Sequence, residues 1–440
     1  MGTIAQSVAA VIGEAATRPW AEVSPELQRS ITTAIAAPEP SACVAEPSTE
    51  ADLAAVMAAA YGEGWRILPL GGGSKLAWGH PIAAVDLAIS TRGLNRILDH
   101  AVGDLTVTVE AGVTFGELEA HLAQTGQTLG LDPAYPNRAT MGGIVATADT
   151  GALRQRYGGV RDRVIGITLV RHDGELAKAG GRVVKNVAGY DLMKLMTGSY
   201  GTLGLISQLT LRTYPQPEAS KTLLIQGTVT AIAALTAEML RSPLTPVALD
   251  IVTPSLLGDR GQDAAHYGLA VQFRSIAAGV EEQAAELETL ATAQGLTAET
   301  LTDAAESDLW QQLRQGLHPE TETPSASAAG VLLKLGILPT EILPLLTWLA
   351  DGLGTELRGR FHAGSGIGQV WLPTPPDVQK LEELRSRCQR HSGYCSLLTA
   401  PLELKQAFDP WGLSPDTRRI MAQLQAQFDP QQRLSPQRWG

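Results

Sequence analysis

Four segments in the first half of the chain carry residues suited to gripping a phosphate with backbone rather than side chains. They are Pro69-Leu70-Gly71-Gly72-Gly73-Ser74-Lys75, Arg138-Ala139-Thr140-Met141-Gly142-Gly143-Ile144-Val145-Ala146-Thr147, Arg156-Tyr157-Gly158-Gly159-Val160-Arg161-Asp162, and Lys185-Asn186-Val187-Ala188-Gly189-Tyr190-Asp191-Leu192. The last runs on to Gly201-Thr202-Leu203-Gly204-Leu205-Ile206. Glycine lets backbone amides come close to a pyrophosphate and takes the φ > 0 conformations that such anion nests need. Each segment alone is compatible with a plain turn or a close packing contact. In this order and together they describe a chain that wraps an extended, phosphate-containing cofactor, and the set reads as a flavin dinucleotide site. The pattern is not the Rossmann fingerprint, because no Gly-x-Gly-x-x-Gly joins a strand to a helix with an acidic residue about 20 positions on. A Walker A lysine motif is also missing, so neither NAD nor ATP is the expected ligand.

The elements around these segments are legible. Thr49 and Asp52 form a capping box for a helix that buries Leu53, Val56, Met57 and Ala60, and Gly62 and Gly64 end it. Ile67 to Leu70 is a strand feeding the first glycine loop. Residues 1–40 read as helical. Asp86 to Ser90, Leu105 to Val109, Val164 to Val170 and Leu203 to Arg212 read as strands, and Phe115 to Gln124 as a helix. From Lys221 the pattern changes to alternating antiparallel strands and helices with helices on one face, which two ferredoxin-like halves would satisfy. A last helix carries Ile420, Leu424 and Phe428 on one side.

Composition narrows the function classes. The chain has 440 residues, enough for about two or three domains. Its net charge of −11 argues against a nucleic-acid partner, which would need a basic face. The only cysteines are Cys43, Cys388 and Cys395, too few for a four-ligand zinc or iron–sulfur site. No Lys or Arg precedes Arg18, so no signal peptide is expected, and no uncharged stretch reaches the ~18–20 residues of a membrane span. The expected location is cytoplasmic, with membrane association only through a partner.

The ordered segments resemble the flavoprotein superfamily of vanillyl-alcohol oxidase and D-lactate dehydrogenase, and within it the FAD-binding subunits of bacterial glycolate oxidase (glycolate dehydrogenase). The likeness is strong over about residues 40–215. It returns in the tail, where Phe428-Asp429-Pro430-Gln431-Gln432-Arg433-Leu434-Ser435-Pro436-Gln437-Arg438 is similar to the family's terminal "FDP…L-P-G-R", with Gln437 in place of the glycine. The resemblance implies an α+β fold: a two-subdomain FAD-binding domain of the p-cresol methylhydroxylase type with a ferredoxin-like α+β cap. Residues 1–218 would form the FAD-binding domain, with a short N-terminal helical segment, and 219–400 the cap. Residues 401–440 would be a C-terminal tail returning to the FAD domain.

Carried across residue by residue, the resemblance implies that Gly71, Gly72, Gly73, Ser74 and Lys75 hold the FAD pyrophosphate through backbone amides and the Ser74 hydroxyl. Thr140, Met141, Gly142, Gly143, Ala146 and Thr147 would line the pyrophosphate and ribityl chain. Tyr157, Gly158 and Val164 would lie along the cofactor, and Gly204 and Ile206 would contact its adenosine end. Lys185, Asn186, Tyr190 and Asp191 match a family segment near the flavin without fixed individual roles. The first loop has no histidine, so FAD is expected to be non-covalent. Family members that oxidise 2-hydroxy acids usually carry a His-x6-His pair and a following Glu-His in the cap, and none of the eight histidines here fits that pattern. No metal is therefore expected.

The catalytic residues stay unknown, with Arg360 and His362 as the candidates. The resemblance implies an FAD-binding subunit that oxidises a 2-hydroxy acid such as glycolate. Its partners would be a second flavin subunit bearing the metal motif and an iron–sulfur subunit. A self-contained FAD oxidoreductase with another substrate, and a non-catalytic flavin-stabilised scaffold, stay open at this point.

Overall fold

The computed structural model describes residues 3–36, 42–181, 190–261, 263, 265–318 and 330–440. The chain divides into two units. The first comprises Met1–Gly151, Gly159–Gln216 and Leu413–Gly440, and the second Ala152–Gly158 and Pro217–Gly412.

In the first unit the helix Glu50–Glu63 starts at Thr49, whose Oγ1 accepts the Asp52 amide at 3.0 Å. It ends at Gly64 in the left-handed conformation and buries Leu53, Val56, Met57 and Ala60. The chain then enters strand Ile67–Leu70, which runs parallel to Leu87–Ser90; that strand is in turn parallel to Cys43–Ala45. Thr17–Pro19 closes the other edge antiparallel. Pro69 is tolerated because its strand lies at the sheet edge, where one row of amides is not needed for pairing. Residues 1–40 are not helical throughout: helices Ile4–Ile12 and Pro25–Thr32 flank the strand Thr17–Pro19, where Pro19 would interrupt a helix.

A second, antiparallel sheet of the same unit has the order Ile97–Ala101, Thr106–Glu110, Leu205–Arg212, Val164–Val170, Leu176–Gly180. Helices Phe115–Ala123 and Met141–Thr147 contribute Phe115, Leu118, Leu122, Met141, Ile144 and Val145 to the core against it. The helix Pro415–Phe428 buries none of its residues, and Ile420 is 51% exposed. Three apolar side chains are too narrow a stripe to sink a helix of this length into a core.

The second unit is one eight-stranded antiparallel sheet built from two consecutive β-α-β-β-α-β modules. Its order is Ala298–Leu301, Ala219–Gly227, Tyr267–Ser275, Ala248–Val252, Arg358–His362, Ile367–Leu372, Val331–Gly336, Tyr394–Thr399. Numbered within each module, this is 4-1-3-2 followed by 2-3-1-4. Two ferredoxin-like halves thus join edge to edge through their second strands. Helices Val229–Arg241, Ala277–Ala293, Ile342–Leu353 and Val378–Arg390 bury their apolar sides in one large core cluster. Among the described residues no helix is long and apolar enough to cross a membrane.

The seam between the halves pairs Asp250 with His362 and Val252 with Arg360. Asp250 is fully buried; Arg360 Nε donates to its Oδ2 at 2.5 Å, and His362 Nδ1 lies 3.0 Å from its Oδ1. Burial alone would raise the Asp250 pKa, but the charges of Arg360 and His362 outweigh it and hold the carboxyl below its ordinary range. A depressed carboxyl contributes stability that is complete above the unfolded pKa, about 3.9, and is lost as pH falls through the folded value. Asp250→Ala should therefore destabilise the second unit by about 3–5 kcal/mol near neutral pH, because it strands a buried cation. The gap to wild type should shrink below about pH 4. Urea unfolding at several pH values measures this, and a loss under about 1 kcal/mol near neutrality would mean the seam does not depend on the pair.

Candidate functional site

The first unit contains a cleft of about 760 Å³, counting its open mouth, at the end of strand Ile67–Leu70. Gly71, Gly72, Gly73, Ser74 and Lys75 form one wall. The first two are glycines for steric reasons: a Cβ on Gly71 would stand 2.0 Å from Thr140 Oγ1, and one on Gly72 would stand 2.1 Å from the Arg138 carbonyl oxygen. Gly73 turns the chain at φ +73°. The loop therefore lies flat against the segment Arg138–Thr140. The backbone amides of Gly71 through Lys75 donate to no acceptor among the described residues. Five successive amides without an internal partner, on the wall of a cleft, form the donor set that a phosphate oxygen needs.

Lys75 behaves differently from its neighbours. Its side chain turns inward, and Nζ lies 2.6 Å from Asp149 Oδ2, with both side chains about 5% exposed or less. Asp149 also accepts the Ala134 amide at 3.0 Å. Burial lowers the Lys75 pKa, and the Asp149 carboxylate opposes part of that shift. Only the backbone of Lys75 is thus available to a ligand, while its ammonium pins the loop to the stretch after helix Met141–Thr147.

That helix supplies the second wall. Thr140 caps it, its Oγ1 accepting the Gly143 amide at 3.2 Å. The Met141 and Gly142 amides are used by the carbonyls of Val113 and Ala111, each at 2.8 Å. Thr140, Gly142, Gly143, Ala146 and Thr147 line the cleft, whereas the Met141 side chain is fully buried in the core.

The third wall is the turn from Ser199 to Ile206. The Tyr200 amide donates to Ala146 O at 2.8 Å, tying the turn to the helix. Gly201 and Gly204 take φ +72° and +148°, and Gly204 and Ile206 face the cleft. Val164, by contrast, packs in the core from its strand.

The cleft also includes residues that motif reading did not select: Thr91, Tyr200, Gly201 and Arg438. Gly201 lies inside one of the glycine-bearing segments, so its residue type was the available signal. Arg438 reaches the cleft from the tail, which pairs with the edge of Ile67–Leu70: the Ile67 amide donates to Arg433 O at 2.8 Å and the Ser435 amide to Ile67 O at 2.9 Å. Gln437, standing where the family has glycine, adopts φ +63°.

Other sequence candidates fall elsewhere. Tyr157 and Gly158 end the short helix Arg154–Tyr157, which belongs to the second unit. Lys185 and Asn186 lie outside the described residues. Tyr190 is 89% exposed, and Asp191 pairs with Lys194 at 2.5 Å. Arg360 and His362 are engaged at the Asp250 seam of the second unit. There Arg360, Gln369, Lys334 and Ser396 are cross-strand neighbours in register, and His318 Nε2 meets Gln369 Oε1 at 2.7 Å. Cys43, Cys388 and Cys395 are all buried free thiols. Among the described residues no three His, Cys, Asp or Glu side chains converge as a metal site would require.

Comparison with known proteins agrees with the cleft. Residues 40–180 match the family described as FAD binding domain, so this stretch is an FAD-binding domain and FAD its cofactor. Glycolate oxidase subunit GlcE of Escherichia coli (strain K12) is 28% identical over 356 residues, covering 78% of this chain and 89% of that protein. Glycolate oxidase subunit GlcD of Bacillus subtilis (strain 168) is 31% identical over 212 residues, covering 48% and 45%. D-2-hydroxyglutarate dehydrogenase of Xanthomonas citri pv. viticola is 34% identical over 182 residues, covering 41% and 39%. The chain thus spans under half the length of the latter two relatives. The fold matches that of p-cresol methylhydroxylase, with a TM-score of 0.75 at 14% identity, covering 99% of this chain and 96% of that one. It also matches alkyldihydroxyacetonephosphate synthase, with a TM-score of 0.66 at 15% identity over 91% of this chain and 76% of that one.

The Lys75–Asp149 pair yields a test of how the cleft is held. Lys75→Met should destabilise the first unit by about 3–5 kcal/mol by stranding a buried carboxylate. Adding Asp149→Asn, which keeps an acceptor for Ala134, should recover most of that loss. Thermal unfolding of the single and double variants measures the coupling, and additive losses would show that the two side chains do not act as a pair.

Proposed function

We propose that this chain is the FAD-binding subunit of a 2-hydroxy-acid dehydrogenase complex, with glycolate as the substrate, and that it hands electrons to an iron–sulfur partner. The observation that carries the cofactor part is the run of amides from Gly71 to Lys75 with no internal acceptor, set on one wall of the cleft. The residues present fit a dinucleotide diphosphate: five amides and the Ser74 hydroxyl on one wall, Thr140 and Thr147 on the next, and the buried Arg438 guanidinium on the rim. FAD, when bound, supplies the acceptor for a hydride or for electrons. No histidine stands in the Gly71–Lys75 loop, which supports non-covalent attachment.

Substrate assignment rests on the relatives. Two are named as subunits of glycolate oxidase and one as a D-2-hydroxyglutarate dehydrogenase, so 2-hydroxy acids are their shared substrate class. Oxidation of such a substrate needs a cation for the carboxylate and a base for the hydroxyl proton. Arg360 and His362 are the candidates. The Asp250 carboxylate faces His362 Nδ1, so a proton-accepting role would fall to Nε2. The subunit names also support assembly with other chains. Three cysteines do not make a four-cysteine cluster, so electrons leaving this chain must reach another protein or a soluble acceptor.

The purified chain should be yellow and release FAD on acid or heat treatment. Gly72→Asp should abolish FAD binding: it puts a carboxylate beside a phosphate site and a Cβ where the Arg138 carbonyl already stands. Anaerobic titration with glycolate should leave the flavin of the isolated chain largely oxidised. Bleaching should appear on mixing with a flavin subunit bearing the metal motif and an iron–sulfur subunit. Rapid bleaching of the isolated chain, with the same kcat alone and in the mixture, would instead make it a complete dehydrogenase. A folded protein with no FAD affinity would refute the reading altogether.

A further inference from the structure

The segment Arg433–Trp439 touches three of the elements that supply the walls of the cleft. Leu434 bridges to Ile67, at the base of the strand that feeds the glycine loop. Arg438 is 3% exposed and donates from Nη1 to Trp78 O and His80 O, each at 2.9 Å, and from Nη2 to Leu76 O at 3.1 Å. These carbonyls belong to the stretch that directly continues the Gly71–Lys75 loop. Trp439 Nε1 donates to Thr202 Oγ1 at 3.1 Å, and its ring meets Tyr200 edge-on at 5.6 Å. One short segment therefore fastens the loop on one side and the Ser199–Ile206 turn on the other.

Its chemistry is unusual for a fastening. A guanidinium this deeply buried is costly to desolvate, and three of its hydrogen bonds go to neutral carbonyl oxygens. Carbonyl dipoles orient the cation, and the Tyr200 ring lies 5.9 Å from it. Burial brings its pKa down to about 10, against an opposing electrostatic effect of Tyr200. Arg438 lines the same cleft as the glycine loop, so an anion there would be attracted to its charge over a short, poorly solvated path.

We infer that Arg438 is a positioning residue for the cofactor diphosphate, and that seating of Arg433–Trp439 and binding of the diphosphate reinforce each other. The inference rests on the FAD reading of the cleft. A diphosphate stabilises the buried cation; the seated cation fixes residues 76–80 and with them the loop whose amides bind the diphosphate. Coupling of this kind is reciprocal: whatever the ligand gains from the docked segment, the segment gains from the ligand.

The test uses the full chain stripped of cofactor. FAD and ADP affinities are measured by titration for wild type, Arg438→Gln and Arg438→Lys, and hydrogen exchange of Arg433–Trp439 is followed with and without FAD. Arg438→Gln should weaken FAD and ADP alike by about tenfold or more, as loss of a charge-assisted contact would. Arg438→Lys should fall between, since it keeps the charge and loses the fork. FAD and ADP should both slow exchange across Arg433–Trp439 in the wild type. Unchanged affinities in both variants, or exchange indifferent to ligand, would overturn the inference. If Arg438→Gln does not fold, the lysine variant and the wild-type exchange data decide. Failure of the wild type to bind FAD at all would refute the cofactor reading, a different result from FAD binding that ignores Arg438.

Discussion

The cleft of the first unit depends on a contact with no room in it. Gly71 and Gly72 lie against Thr140 and the Arg138 carbonyl so closely that a single methyl on either would overlap atoms already present. This fixes the distance between the end of an edge strand and the start of a helix in another part of the chain. The amides of Gly71–Lys75 have no acceptor among the described residues, and those five residues line the cleft. The glycines thus act first as spacers within the protein. Their value to an anion follows from the geometry that the spacing imposes.

Two buried charged groups hold this arrangement from opposite sides. Lys75 draws the end of the loop toward Asp149, just past the helix that begins at Met141. Arg438 collects the carbonyls of Leu76, Trp78 and His80, the residues immediately after that anchor. The first is a paired charge that never needs a ligand. The second is held by carbonyl oxygens and lines the cleft.

Much of this was legible in the sequence, for identifiable reasons. The helix Glu50–Glu63 announced itself through a threonine cap, four apolar residues at helical spacing and a glycine stop at Gly64; Gly62 stays inside it, and the Asp52 carboxylate takes the Thr49 hydroxyl and not the Thr49 amide of a full capping box. Strand Val164–Val170 and both ferredoxin-like halves followed from alternation and element order. The site was legible as a set of segments but not residue by residue. Met141 and Val164 stand among glycine-loop residues in sequence yet point into the core, because a motif cannot state which way each side chain turns. Strands Ile97–Ala101 and Tyr394–Thr399 escaped because polar residues such as Asp99, His100 and Ser396 blur their alternation. Arg438 lay in a recognised tail, but nothing local connects it with carbonyls some 360 residues earlier.

The second unit shows how differently a buried charge can be used. Its two modules meet through strands whose pairing sets Asp250 opposite His362, and Arg360 completes the cluster from the same strand as the histidine. One carboxylate there answers two basic groups, so the seam satisfies itself. The polar neighbours Gln369, Lys334 and Ser396 continue in register across the second module. Four helices cover one face of this sheet, and helix Asp303–Gln315 packs Leu309 and Leu313 with Leu224, Val252 and Ala270 in a second cluster on the other. The face that carries Arg360 is therefore not bare: its register partner Val252 belongs to that second cluster, and the Trp310 ring of the same helix lies 5.3 Å from the Arg360 guanidinium.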